Sequence, residues 1–337
     1  MKIPFLGQLR KKEIMGVDLG SSGVKLVRLR RREDGSVESF HRWHYSGHLL
    51  EDPKKEIPAF RDFLRANQLD GARVACNIED ASLKIRRVEL PKIPDSDLRE
   101  AVRWQLRDVV EGSINDYVVR HSFLEEVSVG GVKKLALLAY AIRKNLVFKS
   151  MEFLRRLTLE PVAIEPASVS LLAVFDLIQG WQKGEFYGLI DFGDSHAVFT
   201  VMSEGKLFFS RPLTNISGRQ LKDFLGKELA LSNHEVEELL RQGLNHEKVS
   251  TLLPLYYTQV AVEIQRSMDA FALAFHRDKT HRLFLCGGFG DLPGLSDYLT
   301  KNIAVPTSLL DPAKKLPELS EGNFFFDVAL GLALSPV

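Results

Sequence analysis

Cysteine is nearly missing from this 337-residue chain: Cys76 and Cys286 are its only two, they sit in apolar strand-like runs, and their spacing makes no metal pattern. That excludes a disulfide scaffold and predicts buried thiols in a reducing compartment. Charge of one sign is missing too, with 45 basic against 44 acidic residues and a formal net charge of +1. Such a balance argues against nucleic acid as a partner and against a disordered chain. No apolar run approaches the roughly 18–20 residues that cross a bilayer, and the N-terminus has no signal-peptide core, so the expected location is the cytoplasm. The opening MKIPFLGQLRKK mixes apolar and basic residues but holds Pro4 and Gly7, and it reads as a mobile tail. His41, His44, His48 and His121 share no helix face or hairpin pair with a Cys or carboxylate, so no metal site is read there. A P-loop, GxxxxGK[ST], is also lacking. What remains is an ordinary globular composition, 45% apolar and 26% charged, long enough for two domains or one large two-lobed unit.

The informative stretch is Ile14–Leu29, IMGVDLGSSGVKLVRL. An apolar run ends in Asp18-Leu19-Gly20-Ser21-Ser22-Gly23 and a second β-rich run leads away, which reads as strand, tight turn, strand. Gly20 and Gly23 let the backbone turn sharply beside a ligand, and the Ser21 and Ser22 hydroxyls with the turn amides suit an anion. Asp18 cannot bind phosphate itself, but it can hold a hydrated Mg²⁺ that does. The chain repeats the pattern at Tyr187–Met202, YGLIDFGDSHAVFTVM, with Asp191, Gly193, Asp194 and Ser195 in the turn. The repeat predicts two similar lobes facing each other across a cleft. A third glycine turn, Gly287-Gly288, follows a buried-type strand in LFLCGGFGDLPGLSDYL.

Three such turns in this order resemble the actin, Hsp70 and sugar-kinase superfamily, with phosphate-1 at Asp18–Lys25, phosphate-2 at Asp191–Ser195 and an adenosine motif at Gly287–Gly294. The words DLGSSGVKLVRL, RRVELPKIPDSDLREAVRWQL, EPASVSLLAVF, EIQRSMDAF, LCGGFGDLPGLSDYL and ALGLAL are similar, in that order, to the PilM family of type IV pilus assembly. The resemblance covers nearly the whole chain from Ile14. It implies an α/β, two-lobed actin-like ATPase fold, a duplicated RNase H-like unit, with an inserted small α+β subdomain of FtsA/PilM type. Boundaries follow: a tail at 1–13, a first lobe at 14–76 and 161–180 to which 325–337 returns, the insert at 77–160, and a second lobe at 181–324.

The same resemblance implies ATP and Mg²⁺ as ligands. Asp18, Gly20, Ser21, Ser22, Lys25, Asp191, Gly193, Ser195, Gly287 and Gly288 would bind them, with Asp18 and Asp191 on the metal. Glu263 and Arg266 of EIQRSMDAF lie three apart on one helix face, and related ATPases bring such a pair to ribose and adenine; a solvated ion pair is the other reading.

Within the insert the chain reads as a strand at Leu83–Leu90, a helix capped by Asp95-Ser96-Asp97 and running through Val110, strands at Tyr117–Glu126 and Lys134–Ala141, and a helix at Asn145–Leu157. In PilM-like proteins the groove between this insert and the first lobe receives the short cytoplasmic N-terminus of the membrane protein PilN. A sheet edge and an apolar groove suit an extended peptide. The resemblance also implies a PilO/PilP complex and pilus motor ATPases as further partners, a homo-oligomer or ring, and a peripheral seat at the inner membrane through PilN. A helix from Pro166 to Gln179, with Val169, Leu172, Ala173 and Leu177 as its inner face, is expected to cross the small residues Ala329, Gly331 and Ala333 as an interlobe pivot. A long helix is read at Leu252–Phe275, started or broken near Pro254.

Phosphate-2 departs from the family word, because Asp194 follows Gly193 and Ala197 stands where a Thr is usual. At 4 Å a carboxylate repels a phosphate chain by roughly 1–4 kcal/mol, and no residue near the turns is read as orienting an attacking water. The expectation is a nucleotide-responsive scaffold with little or no turnover. Its alternatives are a nucleotide-free pseudo-ATPase scaffold of a related secretion system, a sugar or acid kinase, and an FtsA-like filament former. The kinase lacks a catalytic-Asp substrate loop in the first lobe, and the filament former lacks an amphipathic helix after Leu334.

Overall fold

The computed structural model describes residues 13–31, 37–47, 49, 52–80, 82–241, 247–277, 280–316 and 326–335. The tail at 1–12, most of the charged turn at 30–35 and His48 therefore lie outside the described residues. The first half of the chain runs β1 (Met15–Gly20), β2 (Gly23–Arg31), β3 (Val37–Tyr45), α1 (Pro53–Ala66) and β4 (Arg73–Asn77). It continues through β5 (Lys84–Pro91), α2 (Asp95–Gln105), β6 (Tyr117–Val129), β7 (Val132–Arg143), α3 (Lys144–Arg156), β8 (Glu160–Glu165) and α4 (Ala167–Ile178). The second half holds β9 (Tyr187–Phe192), β10 (Ala197–Ser203), β11 (Lys206–Leu213), α5 (Gly218–Leu229), α6 (Asn233–Arg241) and α7 (Glu247–Phe275). It closes with β12 (Arg282–Cys286), α8 (Leu295–Ile303), β13 (Thr307–Leu309) and α9 (Asp327–Leu334).

Two five-stranded sheets share one topology: β3-β2-β1-β4-β8 and β11-β10-β9-β12-β13. In each, an antiparallel meander is extended by parallel strands beside its first strand. The central strands β1 and β9 are buried on both faces, which is why their sequences are continuous apolar runs rather than alternating ones. The first sheet packs Val17 and Leu26 against Phe60 and Leu64 of α1, and α3 adds Leu154 to that core. The second packs Phe192 and Phe199 against Tyr256, Ile264 and Phe271 of α7.

Between the sheets lie α4 and α9, packed with Tyr187, Leu189 and Phe284. The expected inner face of α4 requires correction. Leu171, Val174, Phe175 and Ile178 are its large buried residues, joined by Ala167, Ser168 and Ser170, whereas Val169, Leu172, Ala173 and Leu177 are half-buried. The helix is apolar nearly all round and is wrapped from both sides, with Val169 and Leu172 reaching the second lobe's core. Crossing is close because glycine permits it: a Cβ on Gly331 of α9 would overlap the Ser170 carbonyl of α4, and one on Gly16 of β1 would overlap the Ala329 carbonyl of α9.

The insert is a three-stranded antiparallel sheet, β5-β7-β6, with Leu98, Val102 and Leu106 packed on one face. Its other face is not free. Leu124, Ala136 and Leu138 join the second lobe's core, Lys206 Nζ donates to the Leu124 carbonyl at 2.7 Å, and Arg277 pairs with Glu125 at 2.9 Å. With α3 in the first lobe's core, the insert ties the two lobes together.

Three sequence expectations move. Helix α2 ends at Gln105 rather than Val110, because turns at Leu106–Val110 swing Ile114 and Tyr117 back under the sheet while keeping Leu106 and Val110 buried. Its N-cap is Pro94 without a side-chain cap, and Asp95 and Asp97 face the helix dipole from the first turn. Helix α7 begins at Glu247 and runs unbroken through Pro254. Pro254 and Ser250 are both exposed, so the carbonyl that the proline leaves unpaired faces water.

Candidate functional site

The β1–β2 and β9–β10 turns face each other across a cavity of about 690 Å³. Asp18, Gly20, Ser21, Ser22 and Lys25 line it from the first lobe; Asp191, Gly193, Ser195, Gly287 and Gly288 line it from the second. Ten of the twelve expected ligands are thus brought to one cleft. The other two, Glu263 and Arg266, are not among its lining. Glu263 is 6% exposed and accepts from Arg266 at 3.0 Å and from Asn215 at 3.1 Å, while the Arg266 side chain is 63% exposed. The geometry gives this pair a structural bond within the second lobe, and its assignment to ribose and adenine rests on the motif alone.

The first turn is held by charge and by one amide. Asp18 stands opposite Lys25 across β1 and β2, with Nζ 3.5 Å from Oδ2, and Lys25 also donates to Ser22 Oγ at 3.4 Å. Asn77, at the end of β4, donates to Asp18 Oδ1 at 2.8 Å and accepts the Leu19 amide at 2.9 Å. It thereby fixes both the carboxylate and the turn that follows. Asp18 is 8% exposed, and burial pushes it up although Lys25, His196 and Asn77 pull it down.

The second turn is tied to the start of α5, for Gly218 N–H donates to the Gly193 carbonyl at 2.9 Å and Arg219 N–H to the Asp194 carbonyl at 2.7 Å. Burial pushes Asp191 up to about 6, with the Asp18 charge adding and His196 opposing. Gly287, at φ +79°, presses on this strand; a Cβ there would stand 2.5 Å from Asp191 Oδ1. Its N–H donates to Asp327 Oδ2 at 3.1 Å, and Asp327 Oδ1 is buried without a hydrogen-bond partner while its residue lines the cavity.

Of the six carboxylates that line the cavity, four, Asp18, Glu79, Asp191 and Asp327, are raised, each first by burial. A buried acid with an orphan oxygen fits a cation that arrives with its own water and with phosphate. Among the described residues, no group of three His, Cys, Asp or Glu stands close enough to hold a metal ion directly.

Several of these groups escaped the sequence reading: Asn77, Glu79, His196, Lys222 and Asp327. Asp327, the acid that opens the last apolar helix, carried the clearest unused signal. Asp194, the acid expected to weaken nucleotide affinity, has partners of its own. Its carboxylate is not a bare charge, since Lys222 Nζ donates to Oδ1 at 2.7 Å and Ser21 Oγ donates to Oδ2 at 3.1 Å. Burial opposes ionisation, yet these partners and Arg219 outweigh it and hold Asp194 below the ordinary carboxylate range.

Glu79 accepts the Ala167 N–H at 2.8 Å and so caps α4 from the segment that leads from β4 into the insert. Burial pushes it up to about 7, although the Ala167 amide and His196 pull the other way. A carboxyl raised on folding contributes stability that is full below its unfolded value and is lost as pH rises through the folded one. From about pH 5 to about pH 8, urea unfolding should show a loss of stability on the order of 1–3 kcal/mol. Glu79→Gln keeps the cap and should remove that part of the slope; an unchanged slope in the variant would refute the assignment.

A second depression, about 390 Å³, lies between the first lobe and α3 of the insert, lined by Leu19, Pro53, Lys149, Ser150, Glu152, Phe153 and Arg156. Leu19 and Ser150 line both depressions.

A duplicated sheet closing on one acidic cleft defines an actin-like ATPase fold, and solved structures agree. The chain is similar to the PilM–PilN type IV pilus biogenesis complex, at 22% identity over 96% of this chain and 99% of that one, with a TM-score of 0.80. It is also similar to the ethanolamine utilization protein EutJ from Carboxydothermus hydrogenoformans, at 15% identity over 97% and 93%, with a TM-score of 0.57. Comparison with curated protein sequences gives no match. The model of the family described as type IV pilus assembly protein PilM matches residues 16–335, and the chain belongs to that family. Among the described residues, no helix is long and apolar enough to cross a membrane.

Proposed function

We propose that this chain works as a cytoplasmic scaffold of type IV pilus assembly, holding the short cytoplasmic N-terminus of a PilN-like inner-membrane protein in the depression between the first lobe and α3. The observation that carries this is the depression itself, apolar at Leu19, Pro53 and Phe153 and rimmed by Lys149, Glu152 and Arg156. Apolar anchors with a charged rim suit a peptide that supplies one or two aliphatic side chains. Through that partner the chain is seated at the inner membrane, and PilO/PilP, the motor ATPases and a ring of copies belong to the same proposal. In the interlobe cleft, which these residues line, Asp18 and Asp191 would hold a hydrated Mg²⁺, and Ser21, Ser22, Lys25 and the turn amides would receive the phosphates. Nucleotide there acts on lobe geometry, with little or no turnover.

Calorimetric titration with a PilN-type N-terminal peptide tests the reading. Wild type should bind, and Ser150→Trp, which fills the depression, should weaken binding by about tenfold or more, or roughly 1.4 kcal/mol, at an unchanged melting temperature. Absence of heat with wild type, or an unaffected Ser150→Trp, would remove the groove from the function.

A further inference from the structure

Lys222 and Asp194 are groups of the cleft that the nucleotide reading does not use, and with Ser21, which that reading gives to the phosphates, they form the bridge Lys222–Asp194–Ser21. It joins three elements: α5, the β9–β10 turn of the second lobe, and the β1–β2 turn of the first. Asp194 is the bridge's only anion, and both of its oxygens are taken, one by an ammonium and one by a hydroxyl. Lys222 stands one helical turn beyond Gly218, whose N–H is bonded to the Gly193 carbonyl, so the ammonium is aimed at the turn by the start of its own helix.

An ammonium and a serine hydroxyl converging from two sides are the donors by which a phosphoryl oxygen is held. Here a carboxylate already stands between them, and it is ionised, because Lys222 and Ser21 outweigh the cost of its burial. We propose that Asp194 is a built-in occupant of the terminal-phosphate position, that Lys222 is the cation of that position, and that the cleft consequently selects nucleoside diphosphates over triphosphates. The inference rests on reading the cleft as a nucleotide site.

A diphosphate reaches the first-lobe turn, where Ser22, Lys25 and the backbone amides stand, without disturbing the bridge. A triphosphate must break both bonds of Asp194 and then lie against a carboxylate whose charge has lost its partner. The bridge also spans the two lobes, so the diphosphate state keeps the cleft clasped and a triphosphate would open the clasp.

Mg–ADP and Mg–ATP, each titrated into the full chain by calorimetry, test the proposal. Wild type should bind Mg–ADP about tenfold or more tightly than Mg–ATP. Asp194→Gly should raise the Mg–ATP affinity by a similar factor and leave Mg–ADP nearly unchanged. Asp194→Gly with Lys222→Met should lose the gain, since the freed ammonium is its source. Asp194→Asn, which keeps a side chain between the turns but not its charge, should fall between wild type and Asp194→Gly. Equal affinity for the two nucleotides in wild type, or a ratio unmoved by Asp194→Gly, overturns the selectivity while leaving the cleft a nucleotide site. No binding of either nucleotide to wild type or Asp194→Gly overturns the nucleotide reading itself, and the selectivity with it.

Discussion

Gly16→Val is expected to destabilise the fold by roughly 3 kcal/mol or more, or to leave no folded protein at all. β1 is the central strand of the first sheet, paired antiparallel to β2 and parallel to β4. Helix α9 lies directly on it at Gly16, where an added Cβ would meet the Ala329 carbonyl and, at 2.7 Å, the Ala333 amide nitrogen. Both are backbone atoms of a helix, so no rotamer change relieves the overlap. Nor can α9 step back, for its far side already rests on α4 through Gly331 and the Ser170 carbonyl. β1, α9 and α4 are thus stacked backbone on backbone, and α4 carries the chain from the first sheet to the second while α9 brings it back. The damage should reach both lobes in one transition. Thermal unfolding followed by circular dichroism reads it, with Gly112→Asn, at a positive-φ position facing open space, as a control that should cost about 1 kcal/mol or less. A Gly16→Val protein melting with wild type would show that the close crossing does not hold the lobes.

Much of this architecture is legible in the sequence because its signals are local. A strand, an acid-glycine turn and a second strand occupy about a dozen consecutive residues, and their recurrence from Tyr187 announces a second copy of the sheet. What stayed hidden depends on partners far along the chain. Asn77 reaches Asp18 across 59 positions and Lys222 reaches Asp194 across 28, and neither residue has a pattern of its own. The α4 face is hidden for a different reason: a helix apolar on nearly every side carries no periodicity, and only the sheets above and below decide which residues are covered most. The insert's contact with the second lobe did leave a trace. β7 reads KLALLAYAI, with no polar alternation, as a strand covered on both faces must. Pro254 reads as a boundary because its cost in a helix interior is large on average, yet an exposed position lets water satisfy the freed carbonyl.

Asp18→Asn is the substitution that separates the chemistry of the cleft from its shape. Asparagine keeps the size of the side chain and an oxygen for Asn77, but removes the charge that Lys25 faces at 3.5 Å. Two consequences follow in opposite assays. With the carboxylate gone, the Lys25 ammonium is left buried with Ser22 Oγ as its acceptor, and stability should fall, though by less than the roughly 3 kcal/mol usual for removing one member of a buried pair, because burial already disfavours the Asp18 charge. In binding, on the proposed nucleotide reading, a hydrated divalent cation would lose one of its two carboxylates, and Mg–ADP affinity should drop by roughly a hundredfold or more. Magnesium separates the two effects. Wild type should bind ADP far more weakly in excess chelator than in Mg²⁺, whereas Asp18→Asn should bind ADP equally in both, because the charge through which the ion acts is missing. Asn77→Ala, which leaves the carboxylate but frees it and the Leu19 amide from their clamp, should lose only about tenfold and keep its response to magnesium. If Asp18→Asn retained a magnesium-dependent affinity, the cation would have to be held from the second lobe alone, by Asp191 and Asp327, and the first turn would serve phosphate without serving metal.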